Sequence, residues 1–159
     1  MNKLALALVL SLFSLSCYAE QPAPAQSATT VAEPIKIDVY RSASCSCCGE
    51  WVKHLKDNNF LVKDNIVADV QVVKDKYGVS KEMASCHTAV VNGYVIEGHV
   101  PANDIRKLLK LKSPVVGIAV PAMPSGTPGM EMGGKKDTYD VMSFDKDKKY
   151  QVFTHYEGK

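Results

Sequence analysis

Cys45-Ser46-Cys47-Cys48 sets three thiols within four residues, between an alternating β-branched run and a helical pattern. Ile35-Lys36-Ile37-Asp38-Val39-Tyr40 alternates apolar and polar residues, the period of a half-buried strand. Gly49–Asn58 puts Trp51, Val52 and Leu55 on one face and Glu50, Lys53 and Lys56 on the other, the period of a helix, with Asn58-Asn59 as its stop. A strand that runs into a helix commits the chain to a β-α unit. It also places the sulfurs at a helix N-terminus, where the positive end of the helix dipole favours thiolate. Disulfide formation, electron exchange and soft-metal binding are all open to such a group.

The downstream pattern continues the alternation of strand and helix. Phe60–Val67 reads as a second strand around Leu61-Val62. Asp69–Tyr77 reads as a short helix with Val70, Val73 and Tyr77 as its buried stripe, closed by Gly78. Ser80–Met83 is a turn or a single helical turn. Thr88–Val91 and Tyr94–Glu97 flank Asn92-Gly93, the strongest short hairpin signal. Pro101 suits the first position of a helix whose stripe is Ile105, Leu108 and Leu109, ending near Leu111. Val115–Val120 is apolar. Pro121–Gly134 is a Pro/Gly/Met loop long enough to be functional or disordered. Tyr139–Phe144 and Tyr150–His155 form a closing hairpin about a charged turn. The order β-α-β-α-β-β-α, with a Cys-x-x-Cys spacing after the first strand, is the thioredoxin-like α/β arrangement.

The ends set the compartment. Lys3, the apolar run Leu4–Leu15 and the small residues before Glu20 make Met1–Ala19 a cleavable signal peptide. Glu20–Pro34, rich in Pro, Ala, Gln, Ser and Thr, reads as a flexible linker, and residues 35–156 as the folded domain. Export follows, with no membrane span in the mature protein. The 19 basic and 17 acidic residues nearly balance, which argues against nucleic acid or an anionic membrane surface as partner.

Of the five cysteines, Cys17 leaves with the signal, so Cys45, Cys47, Cys48 and Cys86 remain. An even count in an exported chain normally signals disulfides. Here the spacing strains most pairings, and only Cys45–Cys48 or a bridge to Cys86 has comfortable geometry. Soft thiolates select Cu(I), zinc or iron–sulfur. Zinc prefers a tetrahedral cage, whereas sulfurs crowded on one turn bridge neighbouring Cu(I) ions more naturally. Cys45, Cys47, Cys48 and Cys86, with His87 as ligand or proton partner, are therefore the candidate metal site. Dithiol redox chemistry at Cys45/Cys48 is the rival. His99, at a helix entrance, is open between ligand, cap and supporting roles. His54 reads as solvated, and His155 has no assigned role. Met123, Met130 and Met132 are either gap-fillers or thioether contacts for Cu(I).

Four motifs occur in order: Cys45-x-Cys47-Cys48, Ser85-Cys86-His87-Thr88, Asn92-Gly93 through Val100-Pro101, and Pro121-Ala122-Met123-Pro124 with Gly129-Met130-Glu131. Together they resemble the CopG-like family of exported, thioredoxin-like proteins associated with bacterial copper resistance. The resemblance spans roughly Ile35 to Tyr156. It implies a periplasmic copper–thiolate site with histidine help and redox cycling between Cu(I) and Cu(II). Copper ions and other periplasmic copper-handling proteins would be the partners. Sequestration, copper oxidoreductase activity and delivery through the Met loop all stay open.

Overall fold

A computed structural model describes residues 33–131 and 133–159. The expected signal peptide, most of the linker and Met132 lie outside the described residues.

The chain runs β1 (Ile35–Arg41), α1 (Ser46–Asp57), β2 (Phe60–Ile66), α2 (Val70–Lys76), β3 (Thr88–Val91), β4 (Tyr94–Glu97), α3 (Ala102–Leu111), β5 (Gly117–Ala119), β6 (Tyr139–Phe144) and β7 (Tyr150–Tyr156). The strands form one mixed sheet in the order β2-β1-β3-β4-β5-β6-β7. β1 pairs with β2, and β4 with β5, in parallel; the other neighbours are antiparallel. The fold is thus mixed α/β, and the expected order of the first seven elements holds.

Alternation along the strands divides the core between two faces. One face carries Ile37, Val39, Ala89, Val91, Ile96 and Ile118, packed with Trp51, Val52 and Leu55 of α1 and Ile105 and Leu108 of α3. The other carries Val95, Ala119 and Phe144 against Val79 and Met83, which follow α2. Asn92 and Gly93 take positive φ (47° and 84°), as a tight two-residue hairpin requires. Val115–Val120 contributes β5, which lies so close to β4 that a Cβ on Gly117 would collide with the Val95 carbonyl oxygen.

Three local readings change. α1 starts at Ser46 rather than Gly49, with Cys45 as its extended N-cap. Cys48 then joins Trp51, Val52 and Leu55 at helical spacing, so a buried sulfur extends the apolar stripe by one turn. In α2 the expected stripe of Val70, Val73 and Tyr77 is half-buried, and the buried residue is Lys74, whose amine reaches Glu97. Pro101 is the N-cap of α3 rather than its first residue, a shift within the normal uncertainty of helix ends.

Candidate metal centre

The strand-to-helix turn after β1 and the segment entering β3 face each other at one end of the sheet. β1 and β3 are neighbours in register, Tyr40 beside Thr88, so the turn leaving β1 meets the segment that leads into β3. The sulfurs of Cys45, Cys47, Cys48 and Cys86 all lie within 4.8 Å of one another. Ring nitrogens of His87 and His99 lie within the same distance of each other and of the Cys86 sulfur. All five residues of the predicted site therefore gather here, joined by His99.

The structure shows Cys45 and Cys48 joined by a disulfide, with Cys47 and Cys86 as free thiols. Cys47 Sγ lies 3.6 Å from Cys45 Sγ. Cys48 is fully buried, its sulfur 3.9 Å from the Cys86 carbonyl oxygen. Cys86 Sγ lies 3.1 Å from His99 Nε2 and 3.3 Å from His87 Nδ1. Burial, reinforced by the neighbouring Cys47, pushes the Cys86 thiol up to about 11. At neutral pH it is protonated, and any metal bound there displaces that proton.

The two imidazoles differ. His99 Nδ1 donates to the Pro128 carbonyl at 2.7 Å, which leaves Nε2 with its lone pair toward Cys86. Fixing the tautomer through the far nitrogen is how proteins orient histidine ligands. Burial holds His99 below its ordinary pKa. His87 is entirely buried, and desolvation followed by the nearby His99 and Lys74 keeps it neutral, far below 6.5. Its ring packs tilted against Trp51, with centroids 4.3 Å apart, and Trp51 is itself anchored by Nε1–H donating to the Val100 carbonyl at 2.9 Å. His87 Nε2 has no hydrogen-bond partner among the described residues. An unsatisfied buried polar atom costs about 1–3 kcal/mol, and in a native fold it points to a missing partner. The donor set of thiols and neutral imidazoles fits a soft or borderline metal ion.

The described part of the Met loop lies across this end. Ser85 Oγ–H donates to the Ala122 carbonyl, and Ala122 N–H donates to the Ala84 carbonyl at 3.4 Å. Further on, a Cβ on Gly129 would meet Trp51 N at 2.7 Å and the Cys47 carbonyl oxygen at 2.9 Å. The loop thus touches the chain beside Cys86 at one flank and beside Cys47 at the other. Met123 and Met130 immediately follow those two points. Met123 is exposed, and Met130 is half-buried.

Two other histidines stand apart. His54 is half-buried rather than solvated: its Nε2 accepts the Ala102 N–H at 3.1 Å, capping α3 where Pro101 offers no side chain. Burial lowers its pKa. His155 is exposed and bonds Asp140 and Glu157, which raise its pKa.

Sequence reasoning missed Trp51 as a wall of the site, Pro128 as the acceptor for His99, and the buried group Lys74, Thr88 and Glu97. Only helical spacing flagged Trp51, and it flagged it as core. Nothing local marks a carbonyl acceptor some thirty residues downstream.

Two solved structures share 48% sequence identity and a TM-score of 0.75 with this chain, and both are described as copper resistance protein CopG. One match covers 78% of this chain and 99% of the other protein; the second covers 79% and 100%. The chain belongs to the CopG family. A family model described as "Protein of unknown function, DUF411" matches residues 83–130, the stretch that carries Cys86, His87, His99 and much of the Met loop. No curated protein matches the chain. Among the described residues no helix is long and apolar enough to cross a membrane.

Proposed function

We propose that this is an exported, periplasmic copper-binding protein of copper resistance. It has a thioredoxin-like core and holds Cu(I) between Cys45, Cys47, Cys48, Cys86 and His87, with His99 as a further donor. The observation that carries the reading is the meeting of four sulfurs and two neutral imidazoles, in a CopG relative, at one end of the sheet. Thiolates suit Cu(I), and imidazoles serve both oxidation states, so the mixed donor set suits a site that cycles copper. The crowding of three sulfurs on one turn favours more than one ion. Bound copper would supply one-electron redox chemistry. The chain's part is to release the Cys86 proton, to present the His99 Nε2 lone pair and to shield His87 behind Trp51.

The disulfide state bears directly on this. Reducing Cys45–Cys48 takes two electrons and two protons and yields two further thiols, which complete the sulfur set. The test is an anaerobic Cu(I) titration of the fully reduced protein, with elemental analysis and X-ray absorption. Sub-micromolar uptake with sulfur and nitrogen scatterers is the expected result. No uptake at that affinity refutes the reading.

The Cys45–Cys48 disulfide, placed at the first turn of α1, favours one rival: a thiol–disulfide oxidoreductase with Cys45 as attacking thiolate and Cys48 as resolving thiol. Cys47→Ser separates the two. A dithiol enzyme tolerates it, whereas a copper–thiolate site loses metal.

A further inference from the structure

The copper-side residues divide into a half whose sulfurs change with redox state, on α1, and a half carried by the segment Ser85–Thr88 and by His99. The second half is tied together from beneath by a charged pair that the candidate site does not include. Glu97 is fully buried at the end of β4. One carboxylate oxygen accepts the Ser85 backbone N–H at 2.6 Å, and the other accepts the Thr88 hydroxyl at 2.7 Å. A single side chain thus bridges the residue before Cys86 and the residue after His87. Lys74, reaching in from α2, is 5% exposed; its Nζ donates to Glu97 and, at 3.2 Å, to Thr88 Oγ1.

The same spot is pinned through the backbone. Gly98 N–H donates to the His87 carbonyl at 3.0 Å. Gly98 has φ +71°, and a Cβ there would meet Ser85 Oγ at 2.5 Å and the Val120 carbonyl oxygen at 2.6 Å. Glu97 and Gly98 lead directly into His99. The three donors Cys86, His87 and His99 therefore hang from two strand ends that Glu97 binds into one unit.

A buried ion pair is weak evidence for stability. Replacing such a pair by apolar residues of similar volume is often neutral or stabilising, because the desolvation cost disappears with the charges. The bonds to Ser85 and Thr88 suggest what the pair is kept for. We propose that Glu97, neutralised by Lys74, is a positioning residue that holds Cys86, His87 and His99 in register for the metal. The proposal rests on the copper reading only for the identity of the metal, since the clamp itself is a property of the metal-free chain.

The test uses a pair of double variants. Lys74→Met/Glu97→Leu keeps the volume and abolishes the clamp. Lys74→Met/Glu97→Gln removes both charges but keeps a side-chain oxygen for Ser85 N–H and a donor for Thr88. The first readout needs no metal: the rate at which iodoacetamide alkylates Cys86 in the protein, resolved by peptide mapping, with Cys47 as internal reference. The Leu variant should react about tenfold faster at Cys86 than wild type, as local opening of the Ser85–Thr88 segment becomes easier. The Gln variant should return toward wild type. The second readout is Cu(I) affinity, which should fall about 10- to 100-fold in the Leu variant, as for other residues that orient ligands. The X-ray absorption spectrum should lose nitrogen scatterers while keeping sulfur.

An unchanged Cys86 rate in the Leu variant overturns the clamp. A raised rate with wild-type Cu(I) affinity overturns its role toward the metal. If wild type itself takes up no Cu(I), the copper reading fails, and the alkylation rates still decide the clamp. Should the Leu variant not fold, Thr88→Val cuts one arm of the clamp without removing either charge and is judged by the same two readouts.

Discussion

Three glycines offer a graded test of how the Met loop is seated on the cysteine turn. Gly129 has φ +83°, and its missing Cβ would fall 2.7 Å from Trp51 N, 2.9 Å from the Cys47 carbonyl oxygen and 3.2 Å from the Glu50 carbonyl carbon. All three atoms are backbone of α1, so none can swing aside. Gly133 has a comparable φ of +67° with nothing within 4 Å, and Gly49 lies inside α1 with nothing within 4 Å. Gly133→Ala therefore reports backbone strain alone, about 1–2 kcal/mol. Gly129→Ala adds overpacking against a rigid helix, typically about 1–3 kcal/mol, for a total of about 2–5 kcal/mol. Gly49→Ala should stabilise by about 0.5–1 kcal/mol, because alanine costs less entropy than glycine in a helix. Urea unfolding of the three variants at one pH ranks them. If the strain is relieved by lifting the loop instead, the Pro128 carbonyl leaves His99 Nδ1, and Cu(I) affinity falls even where the unfolding midpoint is spared. The reasoning is refuted if Gly129→Ala matches Gly133→Ala in both stability and copper binding, since the loop would then not rest on α1.

Other expectations rest on single groups. His54→Ala removes the acceptor for the Ala102 N–H and should cost about 0.5–2 kcal/mol in urea unfolding, the usual worth of a helix cap. Burial depresses His54, His87 and His99 below 6.5. Below pH 6.5 the unfolded chain binds protons that the folded chain refuses, so the stability of the metal-free protein should fall as pH drops from 6.5, measured by urea midpoints at about pH 7.5 and 5. A rise in midpoint over that range contradicts the burial of these rings. On the alkaline side, Cys86 is raised to about 11, so the stability it confers is complete below 9.0 and is lost as pH climbs toward 11; Cys86→Ser should flatten that limb. Replacing Met123, Met130 and Met132 together with Leu should leave bound copper in place and slow its transfer to a competing Cu(I) chelator. Unchanged transfer removes the loop from the delivery path.

Periodicity made the frame legible because each early element carries its own repeat. Val39 and Ile37 alternate into the core, Trp51 and Leu55 share a helical face, and Asn92-Gly93 admits few structures other than the tight hairpin it forms. The thiols were legible as a group for a similar reason, since Cys45-Ser46-Cys47-Cys48 and Cys86-His87 flank strands that pair. What escaped depends on contacts between distant segments. Lys74 belongs to the polar side of α2 by pattern, yet it is buried because Glu97 lies opposite. Glu97 ends an apolar strand, where a carboxylate ordinarily signals return to solvent. His54 sits on the flank of α1 and becomes a cap only because α3 begins with a residue that cannot cap itself. The start of α1 was missed because cysteine carries little weight in an apolar stripe until Cys48 is seen at zero exposure.

Under the proposed function the Cys45–Cys48 disulfide and the metal draw on the same sulfurs, which ties the two readings of the cysteine turn together. With Cys45–Cys48 closed, the thiols left are Cys47 and Cys86, beside His87 and His99. Opening the bridge adds two sulfurs on the α1 side, whereas the bonds made by Glu97 lie on the other. Under the proposed function, every ~1.4 kcal/mol by which copper prefers the open, reduced form raises the reduction potential of Cys45–Cys48 by about 30 mV. A metal that binds tightly therefore keeps the bridge open in an oxidising compartment, and an oxidant strong enough to close it withdraws two ligands at once. The fixed half retains a thiol and two neutral imidazoles in that state, a harder donor set than the four thiolates of the open form. Closing the bridge thus shifts the preference of the site away from Cu(I) and toward Cu(II), which is the direction in which the same oxidant drives the metal. Under that same proposal the strand-to-helix cysteine turn and its facing Cys86-His87 segment act as one unit, in which disulfide chemistry sets copper chemistry instead of excluding it.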